Sequence, residues 1–447
     1  MSTPSWFLRC TGLLAIVCIV LPSCCRAQSA ASGQPVVLRL SLKEAVQLAL
    51  KQNPQRLIAK IIQREADRDR QIALSALLPQ AQIEASGNLV QYDVQTVEKL
   101  PHPVDAGPYQ FMQAGPAFSQ SILSLPLIRG YQIGREGVRE AAADENVARE
   151  QVTQLVVTQY LLVLRAAAAY EAAASRVALA ERLYQQAADM EKTGVGLSID
   201  TVRANVELQN EKQTLIDADT ETRTTKYALA ELLDLPRTQL PEPSDTLAFF
   251  DLPTYDRATM IGHALEQRPE MRSIESQERI ASLAHKEARD QIFPQLAFDG
   301  SWAYQGEHFN SGIPAYSYQV SLEFPLFTGG RIHAETARTT LEEQRVADER
   351  RALEDRIVDE VKAALDELEA ARNSVDVANL GLKLANQEVA QAQRRFQAGV
   401  TTNIELITAQ DELARASDNQ IEALYRFNES RANLARAMGE IENTYAQ

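Results

Sequence analysis

Hydrophobic positions along this chain follow two periods. Tyr316, Tyr318, Val320, Leu322 and Phe324 alternate with Ser317, Gln319, Ser321 and Glu323. Leu296, Phe298, Gly300, Trp302 and Tyr304 alternate with Ala297, Asp299, Ser301 and Gln305. A period of two predicts strands with one apolar and one polar face. A weaker alternation sets Ile83, Ala85 and Leu89 against Glu84, Ser86 and Asn88, with Phe118 and Ile122 nearby. Each stretch is about 9–11 residues, the length of a tilted transmembrane β-strand, with aromatics toward the ends. The same alternation fits a half-buried sheet beside a helical core. Four strands cannot close a barrel, and open edges cannot face lipid. If these strands span a membrane, two or more chains must share one barrel.

The second period is helical. No proline occurs between Pro126 and Pro236, and none after Pro325. Proline breaks helix interiors, so residues 127–192 and 327–398 are predicted to form helices of about 100 Å, at ~1.5 Å per residue. Leu368, Ala371, Val375, Ala378, Leu382, Ala385, Val389, Ala392 and Phe396 make a heptad seam for a closely packed partner helix. A looser seam runs through Val152, Leu155, Leu162, Ala166, Ala169, Ala173, Val177, Ala180, Leu183, Ala187 and Met190. Each long helix ends near Gly194 or Gly399 and is followed by a shorter one, 199–234 or 402–438. The pattern predicts long antiparallel hairpins and an elongated molecule.

The chain is written twice. Ala49–Pro54 returns as Ala264–Pro269, Leu78-Pro79-Gln80 as Phe293-Pro294-Gln295, Leu125-Pro126-Leu127 as Phe324-Pro325-Leu326, and Gly194-Val195 as Gly399-Val400. The order never changes, which is the signature of an internal repeat. The expected organisation is a first repeat over 38–235, a proline-rich linker over 236–256, a second repeat over 257–440 and a tail over 441–447. The spacing also puts a longer loop near residues 94–114 of the first repeat. Ahead of the repeats, residues 1–27 read as an export signal, with an apolar stretch from Cys10 to Leu21 followed by Pro22 and Ser23. A rival reading takes Leu21–Cys24 as a lipobox, leaving Cys24 lipidated. All four cysteines fall in this segment, so the remainder has no disulfide or thiolate metal site.

Charge and composition narrow the function. Lys+Arg number 45 against 60 Asp+Glu, a net charge of −15 with no basic block, which makes a poor nucleic-acid binder. Mean hydropathy is −0.26, and no apolar run past residue 25 approaches the ~20 residues of a membrane helix, so a multi-span helical protein is excluded. A membrane β-barrel is not. His102, His263, His285, His308 and His333 are scattered without metal spacing, and there is no GxSxG elbow, P-loop or dinucleotide fingerprint. No enzyme, cofactor or metal is expected.

An exported, duplicated chain with two strand pairs and two very long hairpins resembles the TolC-type outer-membrane efflux protein family. The resemblance covers about residues 38–440. It is carried by Leu40–Ala45, the Pro79 and Pro294 strand entries, Phe324–Arg331, and the turns Thr193–Asp200 and Ala398–Glu405. It implies a mostly α fold with transmembrane β: a homotrimer sharing a twelve-stranded barrel in outer-membrane lipid, on a helical coiled-coil tunnel in the periplasm. It also implies a passive exit duct, fed by an inner-membrane transporter through a periplasmic adaptor (membrane fusion) protein. By carry-over, the adaptor meets the tip residues Gly194, Val195, Gly196, Leu197, Gly399, Val400 and Thr401.

Asp200 and Glu405 occupy the same place in the two repeats, just past each turn. In a trimer they would form an acidic ring able to select cations or to close on Arg203, Arg394 and Arg395. Acids in a first helical turn also simply offset the helix dipole. Two other readings compete with the channel. A periplasmic adaptor would carry one hairpin rather than two, and a structural coiled-coil envelope protein has no use for alternating strands.

Overall fold

A computed structural model describes residues 36–93, 105–250, 255–308, 311–398, 400 and 403–446. Residues 1–27, read above as an export signal that includes Cys24, and residues 94–104 of the expected longer loop lie outside the described residues. Two helices dominate: α3 (Leu125–Lys192, 68 residues) and α7 (Arg331–Gln397, 67 residues). They begin differently. Pro126 occupies the first turn of α3, where its missing N–H costs nothing. In the second repeat Gly329 and Gly330 take φ of +61° and +83°, and α7 starts only at Arg331, later than the expected 327. That left-handed pair turns the chain sharply, as glycine permits.

Shorter helices flank the long ones. They are α1 (Leu42–Gln52), α2 (Pro54–Ser75), α4 (Ser198–Leu232), α5 (Arg257–Gln267), α6 (Pro269–Asp290), α8 (Asn403–Ala437) and α9 (Ile441–Ala446). The single helix expected over 40–78 is two, because Pro54 and Pro269 each open a new one. The break has a purpose in the packing. Asn53 donates from Nδ2 to the Leu232 carbonyl at 2.8 Å, so the top of α4 is capped where α2 stacks on it. Gly439 plays the matching part under α6: its φ is +74°, and an added Cβ would sit 3.0 Å from the Arg268 Cα.

The helices therefore form two stacked rows. The lower row runs α4–α3–α8–α7 and the upper row α2–α3–α6–α7, with α3 and α7 common to both. Leu368, Ala371, Val375, Ala385, Val389, Ala392 and Phe396 of the α7 seam are buried. The α3 seam differs in one place: Leu155 is 47% exposed, and beside the expected Val152 the core is formed there by Val156, Val157 and Tyr160. One stretch of α3 is long and apolar enough to cross a membrane, contrary to the reading of the sequence. Half of it is buried against the chain's own helices, which makes it a core segment.

Two sheets complete the fold. A small parallel pair joins β1 (Val36–Leu40) to β4 (Gln239–Pro243), so the linker between repeats is partly ordered. Asp245 follows β4 and accepts hydrogen bonds from the Leu42 N–H at 2.7 Å and the Tyr160 hydroxyl at 2.8 Å. The second sheet is antiparallel, in the order β2 (Gln80–Asp93), β3 (Asp105–Leu123), β5 (Gln295–Gly306), β6 (Ile313–Glu323). The first pair is longer than the second, 14 and 19 residues against 12 and 11, so much of the extra length of the first repeat is strand rather than loop.

Candidate functional site

The four-stranded sheet sorts its side chains by face. Leu296 lies opposite Leu322, Phe298 opposite Val320, Gly300 opposite Tyr318 and Trp302 opposite Tyr316. Ala81 and Ile83 meet Phe118 and Pro116 in the same way. Apolar residues thus share one face, and most of them are exposed: Ile83 86%, Tyr316 74%, Leu322 68%, with Leu296 and Phe298 half-buried. The opposite face is a shallow polar trough lined by Gln82, Glu84, Ser119, Asp299, Ser301 and Gln319. Within the described residues the outer edges of β2 and β6 have no strand beside them. Apolar outside, polar inside and open at both edges is the arrangement of a barrel segment awaiting its neighbours.

At the far end of the helices, the α3–α4 turn closes through backbone bonds. The Val195 N–H donates to the Met190 carbonyl and the Gly194 N–H to the Glu191 carbonyl, both at 3.0 Å, with Gly194 left-handed at φ +77°. This is a Schellman cap. Gly196 is required for a second reason: an added Cβ would lie 2.9 Å from the Met190 Cβ. The α7–α8 turn repeats one bond, from the Val400 N–H to the Arg395 carbonyl at 3.0 Å. Gly399 and Thr401 lie outside the described residues. Val195, Leu197 and Val400 are 76%, 67% and 70% exposed, so both turns present apolar side chains.

Asp200 sits in the first turn of α4, 3.8 Å from Arg203 on the same helix. Glu405 reaches back across its turn to Arg395 at 3.4 Å. Arg394 is exposed in the last turn of α7. Each carboxylate is thus paired within its own hairpin. Exposed pairs of this kind contribute about 0–1 kcal/mol each.

Two arginines above the tip do bridge the hairpins, and sequence reading missed them. Arg176 of α3 pairs with Glu211 of α4 at 3.2 Å and with Asp418 of α8 at 2.9 Å. Arg165, three turns higher, pairs with Glu221 of α4 at 2.8 Å and Glu422 of α8 at 3.3 Å. The available signal was a charge inside an alanine-rich stretch.

A buried charge cluster at the junction of the two rows was also missed. Arg436 of α8 hydrogen-bonds Glu270 of α6, which Arg268 also binds at 3.2 Å. Burial alone would raise the Glu270 carboxyl, but these two arginines hold it at about 2. Glu150 of α3 is 7% exposed and lies 3.6 Å from Arg436, and its Oε2 has no hydrogen-bond partner. Burial pushes its carboxyl up to about 7, against the pull of Arg436, with Glu270 and Glu442 adding to the rise.

The family comparison follows the same division into repeats. Residues 260–440 match the family described as Outer membrane efflux protein. The pyoverdine export outer membrane protein OpmQ of Pseudomonas putida is 25% identical over 225 residues, covering 48% of this chain and 46% of OpmQ. The match thus spans about half the length of that relative. Among solved structures, the Campylobacter jejuni CmeC outer membrane channel superposes with a TM-score of 0.77 at 18% identity, over 90% of this chain and 86% of that one. The Vibrio cholerae outer membrane protein VceC gives 0.74 at 16%, over 89% and 96%. The open-state MtrE outer membrane channel of Neisseria gonorrhoeae gives 0.75 at 19%, over 90% and 89%. The chain has the fold of these channels.

Proposed function

We propose that this chain, whose residues 260–440 match the family described as Outer membrane efflux protein, is the outer-membrane channel of a tripartite efflux or secretion system. The observation that carries this reading is the sheet: four strands, an exposed apolar face, a polar trough and two open edges. Such a sheet is unstable alone in lipid, because each unpaired backbone group there costs several kcal/mol. Three chains side by side give twelve strands and remove every edge. Stacked helix rows of about 100 Å then continue the barrel as a tunnel in the periplasm.

Transport through it is passive. The chain supplies a wall, and an inner-membrane transporter supplies the drive. An adaptor protein docks on the tips, where Gly194–Leu197 and the turn around Val400 offer exposed apolar side chains between rigid helices. Asp200 and Glu405, drawn together by threefold symmetry, make the tunnel mouth selective for cations, with Arg203, Arg394 and Arg395 as the groups they close on.

The test is native mass and conductance of the protein extracted from outer membranes in mild detergent. Three chains per particle and ion-conducting pores in planar bilayers are expected, with weakened cation preference in D200N/E405Q. A monomer released without detergent would overturn the channel. Unchanged selectivity in the double variant would overturn only the acidic gate.

A further inference from the structure

The lower row of helices holds a cavity that the duct itself does not require. It measures about 290 Å³ and is walled by all four helices, α3, α4, α7 and α8. The cavity touches both outer helices of the row as well as the two inner ones, so its mouth lies on one side of the row. In a closed ring that side faces the lumen, so this position rests on the channel reading above. Leu179, Leu382 and Leu413 form apolar walls. Glu207 and Glu211, one turn apart on α4, enter from one side.

The charges are out of balance. Arg176 is shared between Glu211 and Asp418. Glu207 has no lysine or arginine at salt-bridge distance among the described residues, and Asp411 and Glu211 lie close enough to act on it. Burial first, and then Asp411 and Glu211, lift Glu207 above the usual carboxylate range; burial also lifts Glu211, against the pull of Arg176, with Asp418 and Asp411 adding to the rise. A nearby cation would reverse that effect. The Gln410 side-chain nitrogen, on the cavity wall, is buried without a partner. Apolar walls with a few convergent polar groups are the ordinary composition of a small-molecule site.

We propose that this cavity binds a small organic cation with a flat apolar body, its charge against Glu207 and Glu211 and its body between the leucines. A bare metal ion would leave the leucine walls unused, and a neutral body of the same shape would leave the glutamates uncompensated.

Proflavine, a flat cation, and acridine, its mostly neutral parent at pH 7.5, separate these contributions. Fluorescence polarisation with the full detergent-extracted chain should show saturable proflavine binding, with acridine at least tenfold weaker. E207Q/E211Q should weaken proflavine at least tenfold, whereas E367Q/E369Q, which removes two exposed charges of α7 outside the cavity, should not. A414F, which fills the cavity while keeping both acids, should abolish binding and decides the matter if the acid variant fails to assemble. Absent saturable binding, or equal affinity in all variants, overturns the site. Native mass and conductance on the same preparation keep the two readings apart. A conducting trimer without proflavine binding sinks the cavity alone. Glutamate-dependent binding by a non-conducting monomer supports the cavity and sinks the channel.

Discussion

Glu150 shows what a single buried carboxylate does to this fold. It is one of several charges where the two repeats meet: Glu145 and Arg149 from its own helix, Glu270 and Arg268 at the start of α6, Glu360 of α7, Arg436 of α8 and Glu442 of α9. Arg436 commits its hydrogen bond to Glu270, which leaves Glu150 with an ion pair but no partner for Oε2. Its carboxyl, raised from 4.5 to about 7, therefore favours the folded state most when protonated. That contribution is complete below about pH 4.5 and is lost as pH rises through about 7, a change of about 3 kcal/mol by linkage. Glu270 has the opposite sign: its stabilisation is present above pH 4.5 and is lost only as pH falls toward about 2. Of these two, Glu150 is the one that titrates between pH 5 and 8. Glu150→Gln should raise the melting temperature at pH 8 and leave it near wild type at pH 4.5; equal shifts at both values would show that the carboxyl is not titrating in the fold.

At the scale of elements, the hairpins are held together by arginine rather than by leucine alone. Arg165 and Arg176 each tie α3 to α4 within the first hairpin and to α8 of the second. Below them an apolar patch of Val389, Phe396 and Leu406 touches Leu183 and Met190. Removing both clamps should let the tips swing apart, so R165A/R176A should raise single-channel conductance without altering the trimer's mass. Conductance equal to wild type would place the restraint in the apolar patch. The hairpins and strand faces were legible in the sequence because their periods are local: the 3,4 spacing from Leu368 to Phe396 and the alternation from Tyr316 to Phe324 need no distant partner. The clamps were not, because the Arg165–Glu422 pair is separated by 257 residues and a charged helix position normally reads as solvated. The α1–α2 break was written plainly at Pro54, but its role in capping α4 through Asn53 depends on a contact 179 residues away.

For the whole molecule, the two faces of one strand make opposite demands. Val320 stands mid-strand on the apolar face, opposite Phe298, and is 63% exposed in the single chain. Its neighbour Gln319 lines the polar trough, opposite Asp299. In a twelve-stranded barrel the first meets lipid and the second meets water. An arginine facing lipid near mid-bilayer costs about 2–4 kcal/mol, whereas one facing the lumen keeps its hydration. In the proposed trimer, threefold symmetry repeats the penalty three times in each particle. Val320→Arg should therefore deplete the trimer from the outer-membrane fraction at least tenfold. Gln319→Arg, with the same charge and bulk one residue away, should assemble normally and shift pore selectivity toward anions. Equal losses from the two substitutions would mean that both faces are buried in protein. The strands would then belong to a soluble sheet, and neither the barrel nor the shared pore would survive.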